Sequence, residues 1–83
     1  MVSGIEHTAI ASPDPLKLAR WYVEHLDFKI NFQPPNTTTV FIRASDGSML
    51  ELIESPSPAA PTTALRDPGL RHLAIAVTDF EAM

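Results

Sequence analysis

Apolar and polar residues recur with two different periods in the first part of the chain, which predicts a strand followed by a helix. The strand spans Ile5–Ala11, a short β-capable run that begins after Gly4. Asp14 is a good N-cap and Pro15 suits the first helical position, so we expect the helix to begin there and end near Leu26. Four apolar residues share one stripe of this helix: Leu18, Ala19, Tyr22 and Leu26.

Three further strands are predicted where apolar residues alternate or where β-branched and aromatic residues cluster. Phe28–Phe32 places its apolar residues at every second position, and the turn signal at 34–36 closes it. Thr37–Arg43 is rich in β-branched and aromatic residues, and the sequence from Ser45 to Ser48 is typical of a hairpin turn. Met49–Glu54 follows as the fourth strand, so the predicted order is β-α-β-β-β.

An eight-residue motif occurs twice and indicates an internal repeat. The pattern H-x-A-I-A-x-x-D runs from His7 to Asp14 and again from His72 to Asp79, with five of eight positions identical at an offset of 65 residues. The second copy predicts a fifth strand over Leu70–Val77 and a helix that opens at Asp79. We therefore expect an α+β fold with a βαβββ module at 1–54, a proline-rich linker at 55–69 and the start of a second module at 70–83.

The length of the repeat also predicts that this chain is part of a larger unit. One repeat of 65 residues in a chain of 83 leaves a second copy that has only begun. We expect either a longer protein of about twice the repeat length or a second chain that supplies the missing half. A homodimer or a domain-swapped assembly would meet the second expectation, because an open sheet with unpaired edges favours such pairing.

Composition narrows the class of protein. Net charge is −4 with only 6 Lys and Arg, which argues against nucleic acid and against an anionic membrane surface. The chain has no Cys, so disulfides and thiolate metal sites are excluded. We see no signal peptide and no stretch long enough to span a bilayer. These features predict a soluble, cytoplasmic protein.

Three ionisable residues lie inside apolar strands and are the candidate site: His7, Glu51 and His72. In each strand the larger aliphatic residues occupy the opposite face, so we expect all three side chains on the face of the sheet away from the helix. A partly buried carboxylate needs a cation or several donors. Two histidines and one carboxylate form a set suited to a divalent metal ion: Fe, Mn, Ni, Co or Zn.

Each candidate also has a structural explanation. A single histidine in a strand is more often a structural residue than a ligand, and Glu51 alone could be a salt-bridged carboxylate. His25 near the helix C-terminus fits the helix dipole, and we assign it no function. Arg43 and Arg66 could meet an anionic substrate, although surface solubility is the better explanation for both. The repeat favours the metal interpretation, because it makes His7 and His72 equivalent positions.

Five short motifs in this sequence match one known family: Ile5-Glu6-His7, Trp21-Tyr22, Asp27-Phe28-Lys29, Leu50-Glu51-Leu52, and the stretch from Asp67 to Ala74. With these motifs the chain resembles the vicinal-oxygen-chelate superfamily over its whole length. That superfamily groups glyoxalase I, extradiol dioxygenases, methylmalonyl-CoA epimerase and the bleomycin and fosfomycin resistance proteins. One departure is Asp27, which stands where the family usually has glycine.

The resemblance implies a fold, a site and a class of chemistry. Such proteins build a βαβββ module twice, and the two modules enclose a metal that binds two oxygens of a substrate. By position, His7, Glu51 and His72 correspond to three of the metal ligands, and the fourth is expected after Met83. The implied activity is that of a glyoxalase-like lyase, isomerase or epimerase, with the metal as a Lewis acid. Two alternatives remain: an Fe(II) extradiol dioxygenase, and a non-catalytic drug-binding protein of the resistance type.

Overall fold

The chain folds into one four-stranded mixed sheet with a helix packed on one of its faces. This computed structural model describes residues 1–56, 69–70 and 72–78. Its elements in chain order are β1 (His7–Ser12), α1 (Pro15–Leu26), β2 (Lys29–Phe32), β3 (Val40–Arg43) and β4 (Met49–Glu54). The strand order in the sheet is β1-β4-β3-β2, with β1 parallel to β4 and the other neighbours antiparallel. The predicted α+β fold with a βαβββ module is confirmed.

Both ends of α1 are capped by aspartate residues. At the N-terminus, the Asp14 side chain accepts a hydrogen bond of 3.1 Å from the backbone N–H of Lys17, which satisfies one of the free donors of the first turn. At the C-terminus, Asp27 adopts the left-handed conformation with φ 59°, and its N–H donates to the Tyr22 carbonyl. The N–H of Phe28 donates to the same carbonyl at 3.4 Å, so the chain turns back towards the sheet.

The hydrophobic core lies between α1 and the sheet, where the predicted alternation is realised. Its buried residues are Ala19, Phe28, Val40, Ile42, Leu50 and Leu52. In β3 and β4 every second residue is buried, whereas the residues between them are not. Leu18, Tyr22 and Leu26 complete the predicted stripe and pack against this core. Burial of these side chains is the main stabilising contribution in so small a domain.

We call the side of the sheet away from α1 the open face. Its residues are His7, Ala9 and Ala11 of β1, Met49, Glu51 and Ile53 of β4, Phe41 and Arg43 of β3, and Lys29, Asn31 and Phe32 of β2. Strand register defines this set, since paired residues of neighbouring strands point to the same side. His7 and Glu51 therefore share a face, as the sequence predicted.

A bulge in β2 differs from the strictly alternating strand predicted over Phe28–Phe32. Ile30 pairs with Ile42, but Phe32 pairs with Phe41, so the register shifts between Ile30 and Phe32. The bulge inserts one extra residue into β2 relative to β3. Residues after it therefore point to the face opposite the one that strict alternation would give them. As a result Phe32 lies on the open face, whereas Ile30 lies on the side of the helix.

The fifth strand predicted over Leu70–Val77 is not formed in the described part of that segment. Residues 72–78 pair with no strand among the described residues, and Leu73, Ile75 and Val77 remain more than 40% exposed. A strand requires a neighbour for its backbone hydrogen bonds, and this chain's four-stranded sheet supplies none here. Most of the predicted linker (57–68) and the helix start at Asp79 lie outside the described residues, so the proposed division into modules stays a prediction.

Three strands begin later than the sequence predicted, and β2 does so by a single residue, at Lys29 instead of Phe28. β1 begins at His7 rather than Ile5 because its partner in the sheet, β4, begins at Met49, and these two residues are paired. β3 begins at Val40, after a turn in which the Thr37 hydroxyl donates to the Pro34 carbonyl at 2.9 Å. No helix within the described ranges has the length and apolarity needed to cross a bilayer.

Asp46 stabilises the turn between β3 and β4. Its carboxylate accepts hydrogen bonds from the Ser48 hydroxyl at 2.6 Å and from the Ser48 backbone N–H at 2.9 Å. The hydroxyl bond, followed by the backbone bond, holds the pKa of Asp46 below its ordinary value of 3.8. Gly47, with φ 94°, completes the turn by donating its N–H to the Ala44 carbonyl at 3.0 Å.

We expect Asp27→Gly to stabilise the fold. Glycine avoids the cost of roughly 1–2 kcal/mol that a side chain adds in the left-handed conformation. It also increases the conformational entropy of the unfolded chain, which costs roughly 0.5–1 kcal/mol, so the net gain in stability is roughly 0.5–1 kcal/mol. Urea unfolding measures the change. Asp27→Asn removes the charge but keeps a residue that tolerates this conformation, and Glu24→Gly in the helix interior should destabilise by roughly 1 kcal/mol. An Asp27→Gly variant no more stable than the wild type would contradict the left-handed conformation of this residue.

We expect Ser48→Ala to raise the pKa of Asp46 towards 3.8, because the hydroxyl bond is lost while the backbone bond remains. Because the pKa of Asp46 is lower in the folded state, its ionised carboxylate stabilises the turn at pH values above the ordinary pKa. This contribution is lost as the pH falls through the lowered pKa. Carboxyl-carbon NMR titration measures the pKa directly. Ser45→Ala removes a hydroxyl from the same turn and should leave the Asp46 titration unchanged; an identical shift in both variants would argue against the hydroxyl bond.

A candidate metal centre on the open face

His7 and Glu51 form a pair of potential ligands on the open face. Glu51 lies directly opposite Ala9 in the parallel β1–β4 ladder, so His7 is its diagonal neighbour two residues away. The His7 Nε2 atom lies 3.5 Å from a Glu51 carboxylate oxygen. Side-chain exposure is 34% for His7 and 27% for Glu51, so both groups reach solvent from a partly covered surface.

Glu6 contacts the other nitrogen of the same imidazole. The distance from His7 Nδ1 to a Glu6 carboxylate oxygen is 3.0 Å. A neutral imidazole that donates its Nδ1–H to this carboxylate presents an unprotonated Nε2 towards Glu51. A carboxylate in this position is a common means of orienting a histidine ligand and increasing its basicity. Glu6 is therefore placed to orient the His7 ring.

The distance between His7 and Glu51 suits two ligands of one ion. Metal–nitrogen and metal–oxygen bonds of about 2.1 Å at a tetrahedral angle place the two donor atoms about 3.4 Å apart. The observed separation of 3.5 Å matches this value and is too long for a good hydrogen bond. An imidazole nitrogen and a carboxylate oxygen are also a donor set that divalent first-row metals accept. The residues present on the open face therefore fit such an ion.

Small and aromatic side chains shape the surface around this pair. Ala9 and Ala11 are exposed next to it and leave space in front of the imidazole, as the sequence predicted. On the other side, the Phe41 ring meets the His7 ring edge-on, with centroids 5.4 Å apart. Phe32 lies beside Phe41 at 6.3 Å and is 54% exposed. The site is thus a polar pair bordered by an apolar, aromatic wall.

His72 lies apart from the other two predicted ligands. It is exposed and belongs to none of the strands in the described part of the chain. Within the described ranges, no group of three His, Cys, Asp or Glu side chains is close enough to hold a metal ion. The structure therefore brings together His7 and Glu51 but not His72, whose role as a ligand stays a prediction.

Two features of the site were not predicted from the sequence. The role of Glu6 was missed, although its position directly before His7 was a signal that a carboxylate could reach Nδ1. The contribution of Phe32 was missed as well, because the bulge that moves it to the open face depends on pairing with Phe41. Neither feature follows from the apolar periodicity of a single segment.

The chain matches the family model of the Glyoxalase/Bleomycin resistance protein/Dioxygenase superfamily over residues 4–83. This match includes all three predicted ligands and almost the entire chain. No curated protein matches it significantly.

Two solved structures share its fold. One is a possible glyoxalase from Bacillus cereus, with a TM-score of 0.57, 23% identity, and coverage of 76% of this chain and 55% of that one. The other is a lactoylglutathione lyase from Agrobacterium tumefaciens, with a TM-score of 0.54, 24% identity, and coverage of 90% and 53%. This chain thus spans about half the length of the solved structures that it matches. On the family match and the shared fold, the chain belongs to the glyoxalase/bleomycin resistance protein/dioxygenase superfamily.

Proposed function

We propose that this chain carries half of the active site of a divalent-metal-dependent enzyme that acts on vicinal oxygens of a small substrate, as a glyoxalase-like lyase, isomerase or epimerase. The observation that carries the proposal is the 3.5 Å separation of His7 Nε2 and a Glu51 oxygen on one face of the sheet. A bound Fe, Mn, Ni, Co or Zn ion would supply Lewis-acid chemistry. The family match supports the class of protein, and the metal and substrate are part of the proposal.

The residues of the chain would perform three tasks at such a centre. His7 and Glu51 bind the ion through one nitrogen and one oxygen. Glu6 orients the His7 ring through its contact with Nδ1. Phe41 and Phe32 border the pair and limit access of water from their side. A low-dielectric wall strengthens the electrostatic interactions of a substrate bound beside the ion.

His72 completes the centre in our proposal through a second copy of the chain. The repeat makes His72 equivalent to His7, and its segment is exposed and unpaired with the four-stranded sheet. β1 is an edge strand of that sheet, so within the described part of the chain its outer edge is open to a further strand. In a homodimer or domain-swapped assembly, His72 of one copy would approach His7 and Glu51 of the other.

A non-catalytic drug-binding protein of the resistance type is the second candidate function. The observation that favours it is the exposed aromatic surface formed by Phe32 and Phe41 on the open face. Such a surface can stack against a planar ligand without any metal ion. Metal content separates the two candidates, because the drug-binding alternative does not need His7 and Glu51 as ligands.

We expect the metal-stripped protein to bind one divalent ion per site and to lose at least tenfold in affinity in His7→Ala, Glu51→Gln and His72→Ala variants. Each substitution removes one donor atom of the proposed set. Titration with Zn²⁺, Ni²⁺, Co²⁺ and Mn²⁺, and with Fe²⁺ without oxygen, measures the affinities. Assays with a hemithioacetal and with a catechol then test the reaction and distinguish the lyase from the dioxygenase alternative.

His25 provides the matched control for these measurements. It is the remaining histidine of the chain and lies on the helix rather than the open face, with its ring centroid 5.1 Å from that of Trp21. His25→Ala should therefore bind the ion like the wild type. Equal affinities in all four variants, or a reconstituted protein that stays metal-free and inert to both substrates, would refute the proposed function.

We expect an equal mixture of His7→Ala and His72→Ala proteins to regain part of the metal binding that each has lost. In a dimer with shared sites, a mixed pair contains one site with all three ligands, so about a quarter of the sites should recover if subunits exchange freely. Metal titration of the refolded mixture, with light scattering to establish the dimer, measures the recovery. A mixture that binds no better than either variant alone would exclude ligands shared between copies.

A further inference from the structure

Two cationic residues face each other across β2 and β3, and neither has an acidic partner within the described ranges. Lys29 pairs directly with Arg43 in the antiparallel ladder. Like charges in directly opposed positions destabilise a sheet, and opposite charges at the same place would stabilise it. Among the described residues, neither side chain forms an ion pair or a side-chain hydrogen bond, although the chain has 10 acidic residues and only 6 Lys and Arg. The fold thus keeps an unfavourable arrangement that its own packing does not explain.

The two cations lie at a cleft that offers further hydrogen-bond donors. The cleft has a volume of about 400 Å³ and is lined by Asp27, Lys29, Ile30, Asn31, Arg43, Ala44 and Ser45. Asn31 supplies an amide, which donates to the Met49 sulfur at 3.4 Å, a weak acceptor. Ser45 supplies a hydroxyl. Of the described residues that line the cleft, Asp27 alone carries a carboxylate, at the C-terminal cap of α1.

The Arg43 guanidinium lies next to Gly47 of the β3–β4 turn. One of its terminal nitrogens lies 3.4 Å from the position that a Cβ atom on Gly47 would occupy. Because Gly47 has no side chain, the planar guanidinium can lie against the turn. A guanidinium positioned in this way presents a fork of N–H donors that matches the oxygens of a carboxylate or phosphate.

Lys29, Asn31 and Arg43 of the cleft belong to the open face, which also carries the candidate metal centre. Arg43 pairs with Met49, which lies two residues before Glu51 on β4. From Met49 to Glu51 the distance along β4 is about 7 Å, and Arg43 lies about 4.8 Å to the side, on the neighbouring strand β3. A small molecule of a few bonds can therefore span the distance between the two sites.

We propose that Lys29, Arg43 and Asn31 form an oxyanion-binding site that holds a carboxylate or phosphate group of the substrate. Binding of the anion offsets the repulsion between the two cations and uses the donors of the cleft. That this anion belongs to a substrate of the metal centre rests on the proposed function, whereas oxyanion binding by the cleft does not depend on a metal ion. The substrate class that follows is a small acid or phosphate ester with neighbouring oxygens at its other end.

NMR titration of the full chain in EDTA tests the site with inorganic phosphate and with acetate as probes. Ionic strength is held constant with chloride. We expect saturable shifts of the backbone amides at 29–31 and 43–45 with at least one probe, and the stronger binder indicates which oxyanion the site prefers. Lys29→Gln and Arg43→Gln should each weaken that binding at least fivefold, and Lys29→Arg should retain most of it.

Matched controls separate this site from general charge effects and from the metal centre. Lys17→Gln and Arg20→Gln remove the same charge from exposed helix positions and should leave binding unchanged. His7→Ala should bind phosphate like the wild type, so failure of the metal proposal would not affect this result. Without ligand, Lys29→Gln should raise the Tm by relieving repulsion. Non-saturable shifts, equal losses in all variants, or a lower Tm for Lys29→Gln would overturn the proposal.

Discussion

The central position of β4 in the sheet is the constraint on which the rest of the structure depends. β4 lies between β1 and β3, so its residues are held in register from both sides. Leu50 and Leu52 are buried against α1, and strand geometry then places Glu51 on the open face. A slip of one residue would bury this carboxylate and expose both leucines, at a cost of several kcal/mol. The hydrophobic core thus fixes the position of the acid.

Parallel pairing of β1 with β4 fixes the position of His7 relative to Glu51. His7 pairs with Met49, and the same register places Ala9 opposite Glu51. Because Ala9 is small, the imidazole and the carboxylate can approach each other across the space that a larger residue would fill. Glu6, directly before the strand, then reaches the far side of the ring. Main-chain pairing thus sets the position of the histidine, whereas the core beneath β4 sets that of the glutamate.

Those parts of the fold that depend on local pattern could be predicted from the sequence. The stripe from Leu18 to Leu26, the helix boundaries at Asp14 and Asp27, and the alternation in β4 each follow from residues close together in the chain. For the same reason the placement of His7 and Glu51 on one face was predictable, since each strand reveals its buried side by its own larger residues.

The remaining features depend on pairing between distant segments. The bulge that moves Phe32 is visible only in its register with Phe41, and the opposition of Lys29 and Arg43 requires the same register. Residues 72–78 have the apolar pattern of a strand, yet a strand also needs a neighbour with free backbone groups. His72 therefore shows the limit of inference from a repeat: equivalence in sequence identifies a position, and only an assembled sheet determines what lies beside it.

The parallel pairing of β1 with β4 has a consequence for the order of folding. β2, β3 and β4 are successive antiparallel neighbours, so their pairing joins residues that are close in sequence. β1 pairs with β4, from which it is separated in the chain by the helix, β2 and β3. Contacts of such long sequence separation carry the largest loop-closure entropy and tend to form late. His7 and Glu51 come from these two strands, so an incompletely folded chain has no ligand pair. Binding of the proposed ion would therefore require completed pairing of β1 with β4.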